Sequence, residues 1–503
     1  MINAIVHKLA VRRLAQMRSL ADDPRDAQER VFNYLLSRAY STSFGRDHAL
    51  HNVRNHRDWV RAVPLRDYDG IASYFDRARS GEPDVCWPGY IRYWAISSGT
   101  TSGEKYLPVS METIRGNRQG GFDAIAPCVA ARDPKLFSGR LLFLGGSTKL
   151  RKHGENWIGD NTGIMTLHIP QLLRRWHTPG QSVVGLPSWE EKIARAVEIS
   201  SKQDVRMISG VPSWMVIFSE KVLAHTGKSS LKEVWPNLGL FVHGGMSFGP
   251  YRERFRQLAG SFVWTTDTYS ASEGGMLAVQ DEQNDPGMLP LVDQGVFFEF
   301  VPVEELGKDS PTRLTLGEVE TGVDYAVVLN SDSGIFGYLV GDSVRFTSMQ
   351  PCKLVFAGRL KHTLNAFGEH VSGGELDRAI AAACEETGNA VEEYAVATRY
   401  PDSERSVGGH VYYMEFRREP GDVDEFARQI DAAIMAGNED YTAHREKGYG
   451  MAAPVVRVVA PGGFYEWMKT RGRLGGQNKV PRVLSRDLET DFLQIARVAE
   501  TAL

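Results

Sequence analysis

The sequence predicts an α/β protein: a large N-terminal domain with parallel-rich sheets and helices, followed by a small α+β domain. Three observations carry this. The chain has 503 residues, more than one hydrophobic core ordinarily organises. Through its middle, β-like apolar runs alternate with helical stretches, the pattern of strands joined by helical crossovers. Near residue 358 the composition shifts, and a second, shorter alternation begins.

The first 90 or so residues read as helical. "DPRDAQERVFNYLLSRAYSTSFG" has an Asp-Pro start, an apolar stripe at Val31, Leu35, Leu36 and Ala39, and a closing Gly. The N-terminus is basic and amphipathic, but His7, Lys8, Arg12 and Arg13 interrupt its apolar stretch. It reads as a first helix packed on the domain, not as a signal peptide or a membrane-surface segment. Next come strands at "RLLFLGG", "LGLFVHGG", "FVWTTDTYS" and "QGVFFEFVPV", interleaved with helices at "SWEEKIARAVEISS" and "PSWMVIFSEKVLAHTG". This order predicts a largely parallel sheet, with ligands in loops at the carboxyl ends of its strands. The domain boundary falls near Gly358 to Lys361, giving domains 1–358 and 359–503.

Composition narrows the function. Hydrophobic residues are 42%, charged residues 24% and the formal net charge is -4. That fits a soluble globular protein without the basic field that nucleic acid requires. Cys86, Cys128, Cys352 and Cys384 lack metal-ligand spacing and read as reduced thiols of a cytoplasmic protein. No apolar run approaches the roughly 18–20 residues of a membrane span.

Five segments bear chemistry. "SSGTTSGEKYLPVS" is rich in hydroxyls and glycine, with Lys105 close by. It is either a solvated loop or an anion nest, and it lacks the spacing of a Walker A loop. In "TDTYSASEGG", Tyr269 suits a purine face and Glu273 a hard cation such as Mg2+. A core tyrosine and a solvated glutamate are the plain alternative. Upstream, Gly244 and Gly245 follow a strand, where a flat base can approach the backbone. In "GYLVGDSVRF", Asp342 is placed to accept from both hydroxyls of a ribose, or is a turn residue after Gly341. "GRLKHTLNAFGEHVS" supplies Arg359 and a hinge position at Lys361. "TRGRLGGQNKVPRVL" carries Lys479 on a glycine-rich loop, able to deliver a point charge to a phosphate.

In this order, the segments resemble the adenylate-forming superfamily. The resemblance is closest to the auxin-responsive-promoter family of acyl-acid amido synthetases, particularly its bacterial members. "SSGTTSGEKYLPVS" looks like the phosphate loop of that family, "YSASEGG" its adenine and magnesium motif, and "GRLKHTLNAFGEHVS" and "GGQNKVPR" its hinge and late lysine segments. "VHGGMSFGPYRERF" and "DSGIFGYLVGD" also fit. The segment before Asp342 departs from the pattern: where the family commonly has Tyr-Arg-Tyr, this chain has Phe336-Gly337-Tyr338.

The resemblance implies a ligase using ATP and Mg2+. A carboxylic acid would be activated as an acyl-adenylate with release of pyrophosphate, then passed to an amine, expected to be an amino acid. Ser98, Gly99, Thr100, Thr101, Ser102 and Lys105 would cradle the β- and γ-phosphates. Gly244, Gly245 and Tyr269 would hold adenine, Asp342 and Arg359 the ribose, and Ser272 would also bind ATP. Glu273 would bind Mg2+, Lys479 would act at the α-phosphate, and a mobile C-terminal domain would turn about Lys361. Trp157, His168, Trp176, Trp214 and Phe248 are candidates for the acyl pocket. The alternatives are a ligase for coenzyme A or a carrier thiol, and a non-catalytic nucleotide-binding protein.

Overall fold

The computed structural model describes residues 2–98, 104–132, 134–186, 189–245, 247–360, 364, 366, 369, 371–400, 408–446, 451–474 and 479–499. These form two compact units. The first comprises Met1–Val211, Phe218–Gly245 and Ala259–Phe356; the second comprises Pro212–Ile217, Met246–Leu258 and Ala357–Leu503. Two short segments from mid-sequence thus join the second unit, a feature absent from a single boundary near residue 358.

The helical start of the first unit is set by local polar chemistry. Thr42, Asn55 and Asp67 each accept a backbone N–H at the start of the helices Ser43–Asp47, His56–Ala62 and Tyr68–Arg79. The first helix, Ile2–Asp22, buries Ala10, Met17 and Ala21 in the core. Its Arg13 forks onto Asp123 and Asp293, each at 2.7 Å. Asp123 is fully buried on the helix Met111–Ala131, so the ion group locks the first helix to this one.

Two sheets follow. A four-stranded sheet, order β2-β1-β5-β4, contains β1 (Tyr93–Ser98), β2 (Glu104–Val109), β4 (Arg151–His153) and β5 (Asn156–Asp160). An eleven-stranded sheet runs β12-β13-β14-β15-β11-β10-β9-β8-β7-β3-β6. Its parallel half is β3 (Arg140–Phe143), β6 (His177–Thr178), β7 (Val205–Gly210), β8 (Leu240–Gly244) and β9 (Trp264–Ala271). The other half contains β10 (Gly275–Gln280), β11 (Met288–Pro290), β12 (Val296–Pro302), β13 (Asp324–Ser331), β14 (Ile335–Met349) and β15 (Cys352–Arg359). There β9 with β10, β10 with β11, β11 with β15, and β12 through β14 pair antiparallel. The expectation of a largely parallel sheet is therefore corrected: the sheet is mixed. No α-helix lies between Gly275 and Arg359, and a parallel pair needs a crossover connection.

The second unit is built on a four-stranded sheet, order β18-β17-β16-β19, of β16 (Val391–Arg399), β17 (Gly409–Phe416), β18 (Val455–Val459) and β19 (Val483–Leu484). Side chains alternate across it. Tyr394, Val396, Tyr412 and Met414 pack with the helices Gly373–Thr387 and Val423–Met435. Ala395, Ala397, Val411 and Tyr413 pack with Gly463–Thr470 and Arg486–Ile495. The period of two gives each sheet face its own helical layer. Ser372 and Glu375 close a capping box at the start of Gly373–Thr387. Among the described residues, no helix is long and apolar enough to cross a membrane.

Candidate active site

The site grows from the carboxyl ends of parallel strands. β8 and β9 pair so that Gly244 lies beside Thr268. A Cβ on Gly244 would stand 2.4 Å from Thr268 Oγ1 and 2.5 Å from its carbonyl oxygen, so only glycine permits this approach. Gly245 follows with a φ of +82°. Thr268 Oγ1 donates to the His243 carbonyl at 2.9 Å.

Two hydroxyl–carboxylate pairs link the β9–β10 hairpin to β14. Tyr269 lies on β9 with its ring in the core, 5.9 Å from that of Phe356. Its O–H donates to Asp342 Oδ2 at 3.1 Å. Asp342, buried on β14, follows Gly341, whose φ is +87°. Glu273 sits in the hairpin turn beside Ser272 and is also buried. Its carbonyl accepts from Ser331 Oγ at 2.9 Å, and its carboxylate is hydrogen-bonded to the Tyr338 hydroxyl. Burial, then the Glu273 charge, push the Tyr338 hydroxyl far above its ordinary range, so it stays protonated. Tyr338 was not among the residues expected from the sequence. The signal available was a tyrosine four positions before Asp342 on one strand.

The missing arginine at position 337 has a local cause. Gly337 has a φ of +59°, and a Cβ there would lie 2.6 Å from the Pro64 carbonyl oxygen. Its N–H donates to Asn330 Oδ1 at 2.7 Å, and its carbonyl accepts from the Arg66 N–H at 2.9 Å. The strand edge is closed by backbone where a side chain would stand.

The strands that flank the hydroxyl-rich segment, β1 and β2, pair antiparallel, with Ser98 opposite Glu104. Lys105, paired with Ser97, is half-buried with its ammonium 5.5 Å from the Tyr68 ring centre. Gly99, Thr100, Thr101 and Ser102, like Lys361, lie outside the described residues.

The acyl-pocket candidates are divided between the two units. Tyr93 and Trp157 are paired across β1 and β5, and the His168 ring stands edge-on to Tyr93 at 4.7 Å. Trp157 is 38% exposed. Trp176 instead donates its indole N–H to the Phe137 carbonyl at 2.9 Å. Trp214 and Phe248 belong to the second unit. Phe248 is buried there against Phe255, and Trp214 faces Tyr465. Arg359 and Lys479 are also in the second unit. Arg359 ends β15 and is exposed; Lys479 lines a cavity of about 220 Å³.

Among the described residues, no three His, Cys, Asp or Glu side chains gather as a metal site. A cation near Glu273 would depend on oxygens brought by a substrate. That fits Mg2+, which is commonly held by one or two carboxylates and phosphate.

Three family models match in sequence order: the GH3 family N-terminal domain over residues 13–178, the central domain over 289–359 and the C-terminal domain over 374–487. The chain belongs to the GH3 family. It is accordingly an acyl acid amido synthetase, an ATP-dependent ligase that conjugates acids to amino acids through adenylation. This sets aside the non-catalytic alternative. An indole-3-acetic acid-amido synthetase of Oryza sativa subsp. indica is 24% identical to this GH3 enzyme, over 91% of this chain and 88% of that protein. A jasmonoyl–L-amino acid synthetase of Oryza sativa subsp. japonica is 28% identical over 50% of this chain and 46% of its own length. In structure, the chain matches the GH3.15 acyl acid amido synthetase at a TM-score of 0.78 and 18% identity, over 97% of both chains. It matches a 2-hydroxyisobutyryl-CoA ligase at 0.60 and 14% identity, over 93% and 90%. The fold is thus shared with a CoA ligase.

Proposed function

We propose that this GH3 enzyme performs its two half-reactions with the residues assembled around β8, β9 and β14, together with Lys479. In the first, a carboxylate oxygen of the acid attacks the α-phosphorus of ATP. A phosphorus–oxygen bond forms and the bond to pyrophosphate breaks. Lys105 and the hydroxyls of Ser98, Thr100, Thr101 and Ser102 hold the β- and γ-phosphates, with the backbone of Gly99. Gly244 and Gly245 let adenine approach the backbone, with Tyr269 and Ser272 beside it. Asp342 and Arg359 take the ribose hydroxyls. Glu273 is the residue to hold Mg2+, which would supply positive charge to the phosphates. Lys479 stabilises the charge developing at the α-phosphate.

In the second half-reaction, the amine nitrogen attacks the acyl carbonyl. A carbon–nitrogen bond forms, the bond to AMP breaks and the amine gives up a proton. Rotation of the second unit about Lys361 would withdraw Lys479 between the steps.

The observation that carries this reading is the Tyr269–Asp342 hydrogen bond. It ties an aromatic ring and a ribose-type acceptor together beside the Gly244–Gly245 turn. Lys479→Ala should slow adenylate formation by roughly 10²-fold or more. Amide formation from supplied acyl-adenylate should fall much less, and equal losses would remove Lys479 from this role. Offering amino acids, hydroxylamine and coenzyme A as acceptors, with products weighed by mass spectrometry, tests the acceptor. Amides with amino acids support the reading; a coenzyme A thioester alone would replace it with the thiol-ligase alternative.

A further inference from the structure

We propose that Arg482 is the positioning residue for Lys479: its buried guanidinium fixes the base of the segment that presents the lysine for adenylation. This rests on the assignment of Lys479 above. The two residues are three apart, so their Cα atoms stand at most about 10 Å from each other. Pro481 lies between them and has a locked φ, which leaves the tether little slack.

The anchor is densely made. Arg482 Nη1 donates to Glu393 Oε1 and, at 2.9 Å, to the Tyr394 carbonyl. Its Nε stands 3.4 Å from Asp377 Oδ1, and its Nη2 donates to the Tyr251 hydroxyl at 3.3 Å. The guanidinium lies 4.0 Å from the centre of the Tyr394 ring. Tyr394 in turn donates its hydroxyl to Asp377, and Tyr251 donates to Glu393 at 3.2 Å. The backbone is held as well. The Arg482 carbonyl accepts from the Val396 N–H at 2.8 Å, and Val483 then pairs with Val396 as β19 joins β16.

On the other side, Lys479 and Val480 border the cavity of about 220 Å³, whose wall includes Glu393, Trp214 and Tyr465. One end of the tether is therefore clamped, and the other lies in the wall of that cavity. A buried ion group of this kind is a poor way to gain stability, because desolvating the charges offsets their attraction. What a forked guanidinium supplies is fixed direction, and a transition-state contact needs its charge placed within a fraction of an ångström.

The test is a double-mutant cycle on the full-length enzyme. Acid-dependent ATP–pyrophosphate exchange reads adenylation, and amide formation from supplied acyl-adenylate reads transfer. Arg482→Met should lower kcat for adenylation by about 10²-fold with little change in the KM for ATP, and leave transfer much less affected. In the Lys479→Ala background, Arg482→Met should cost nothing further, because the group it positions is gone. Losses that multiply in the double variant, or that fall equally on both half-reactions, overturn the proposal. If Arg482→Met does not fold, Arg482→Lys keeps a cation beside Glu393 without the fork, and the same cycle decides. If Lys479→Ala alone leaves adenylation intact, the lysine's assignment fails. If it is slow and the Arg482 losses multiply, only the positioning role fails.

Discussion

Asp342 and Glu273 are each buried and each tied to a tyrosine hydroxyl. Tyr269→Phe keeps the ring and removes one donor. A hydrogen bond to a charged acceptor is worth about 1.5–3 kcal/mol, so the KM for ATP should rise about tenfold or more if Asp342 holds the ribose. Steady-state kinetics at saturating acid checks this, and an unchanged KM would remove the Tyr269 hydroxyl from the site. At Gly337 the backbone conformation excludes the arginine common elsewhere in the family. Gly337→Arg should destabilise the fold by about 1–3 kcal/mol through backbone strain, read as a lower Tm. A variant as stable as the parent would mean that the Pro64 carbonyl yields readily. Tyr269, Glu273 and Asp342 were recognisable as candidates because each sits in a motif of turn residues and glycine. Tyr338 was not: a tyrosine in an apolar strand reads as core until its partner, distant in sequence, is brought to it.

At the scale of elements, the turn between β13 and β14 is pinned to the helix Met111–Ala131. Thr113 Oγ1 donates to Asp332 Oδ1 at 2.6 Å. Burial pushes the Asp332 carboxyl up to about 7 from 3.8, against the pull of the Thr113 hydrogen bond. Below the unfolded value both states are protonated. Between about 4 and about 7 the unfolded chain ionises first, so this group's contribution to stability falls as pH rises and levels off above the folded value. Asp332→Asn should flatten that slope, and its Tm should compare more favourably with the parent at pH 8 than at pH 4. Parallel Tm–pH curves would contradict this. The same turn belongs to the half of the sheet that the sequence misdescribes. Runs such as Val296–Pro302 and Asp324–Ser331 are mostly apolar, are buried on both faces, and read alike in parallel or antiparallel pairing. Only the lack of intervening helices betrays the antiparallel order.

For the whole molecule, several hydrophobic clusters are divided between two units, and the family assignment runs through both. The change in composition near residue 358 was legible. The recruitment of Pro212–Ile217 and Met246–Leu258 to the second unit was not, because local pattern carries no record of which body a helix packs on. The acid is hidden for a similar reason: Trp157, Trp176 and Phe248 are equally aromatic in sequence, yet one is partly exposed, one is bonded to Phe137 and one is core. The most direct test of the central claim is ATP–pyrophosphate exchange with a panel of carboxylic acids, indole-3-acetic acid included, in the absence of any amine. A two-step reaction gives exchange that depends on the acid and proceeds without an amine, because adenylation precedes acceptor attack. Exchange that appears only when an amino acid is added, or that never appears across the panel, would contradict it.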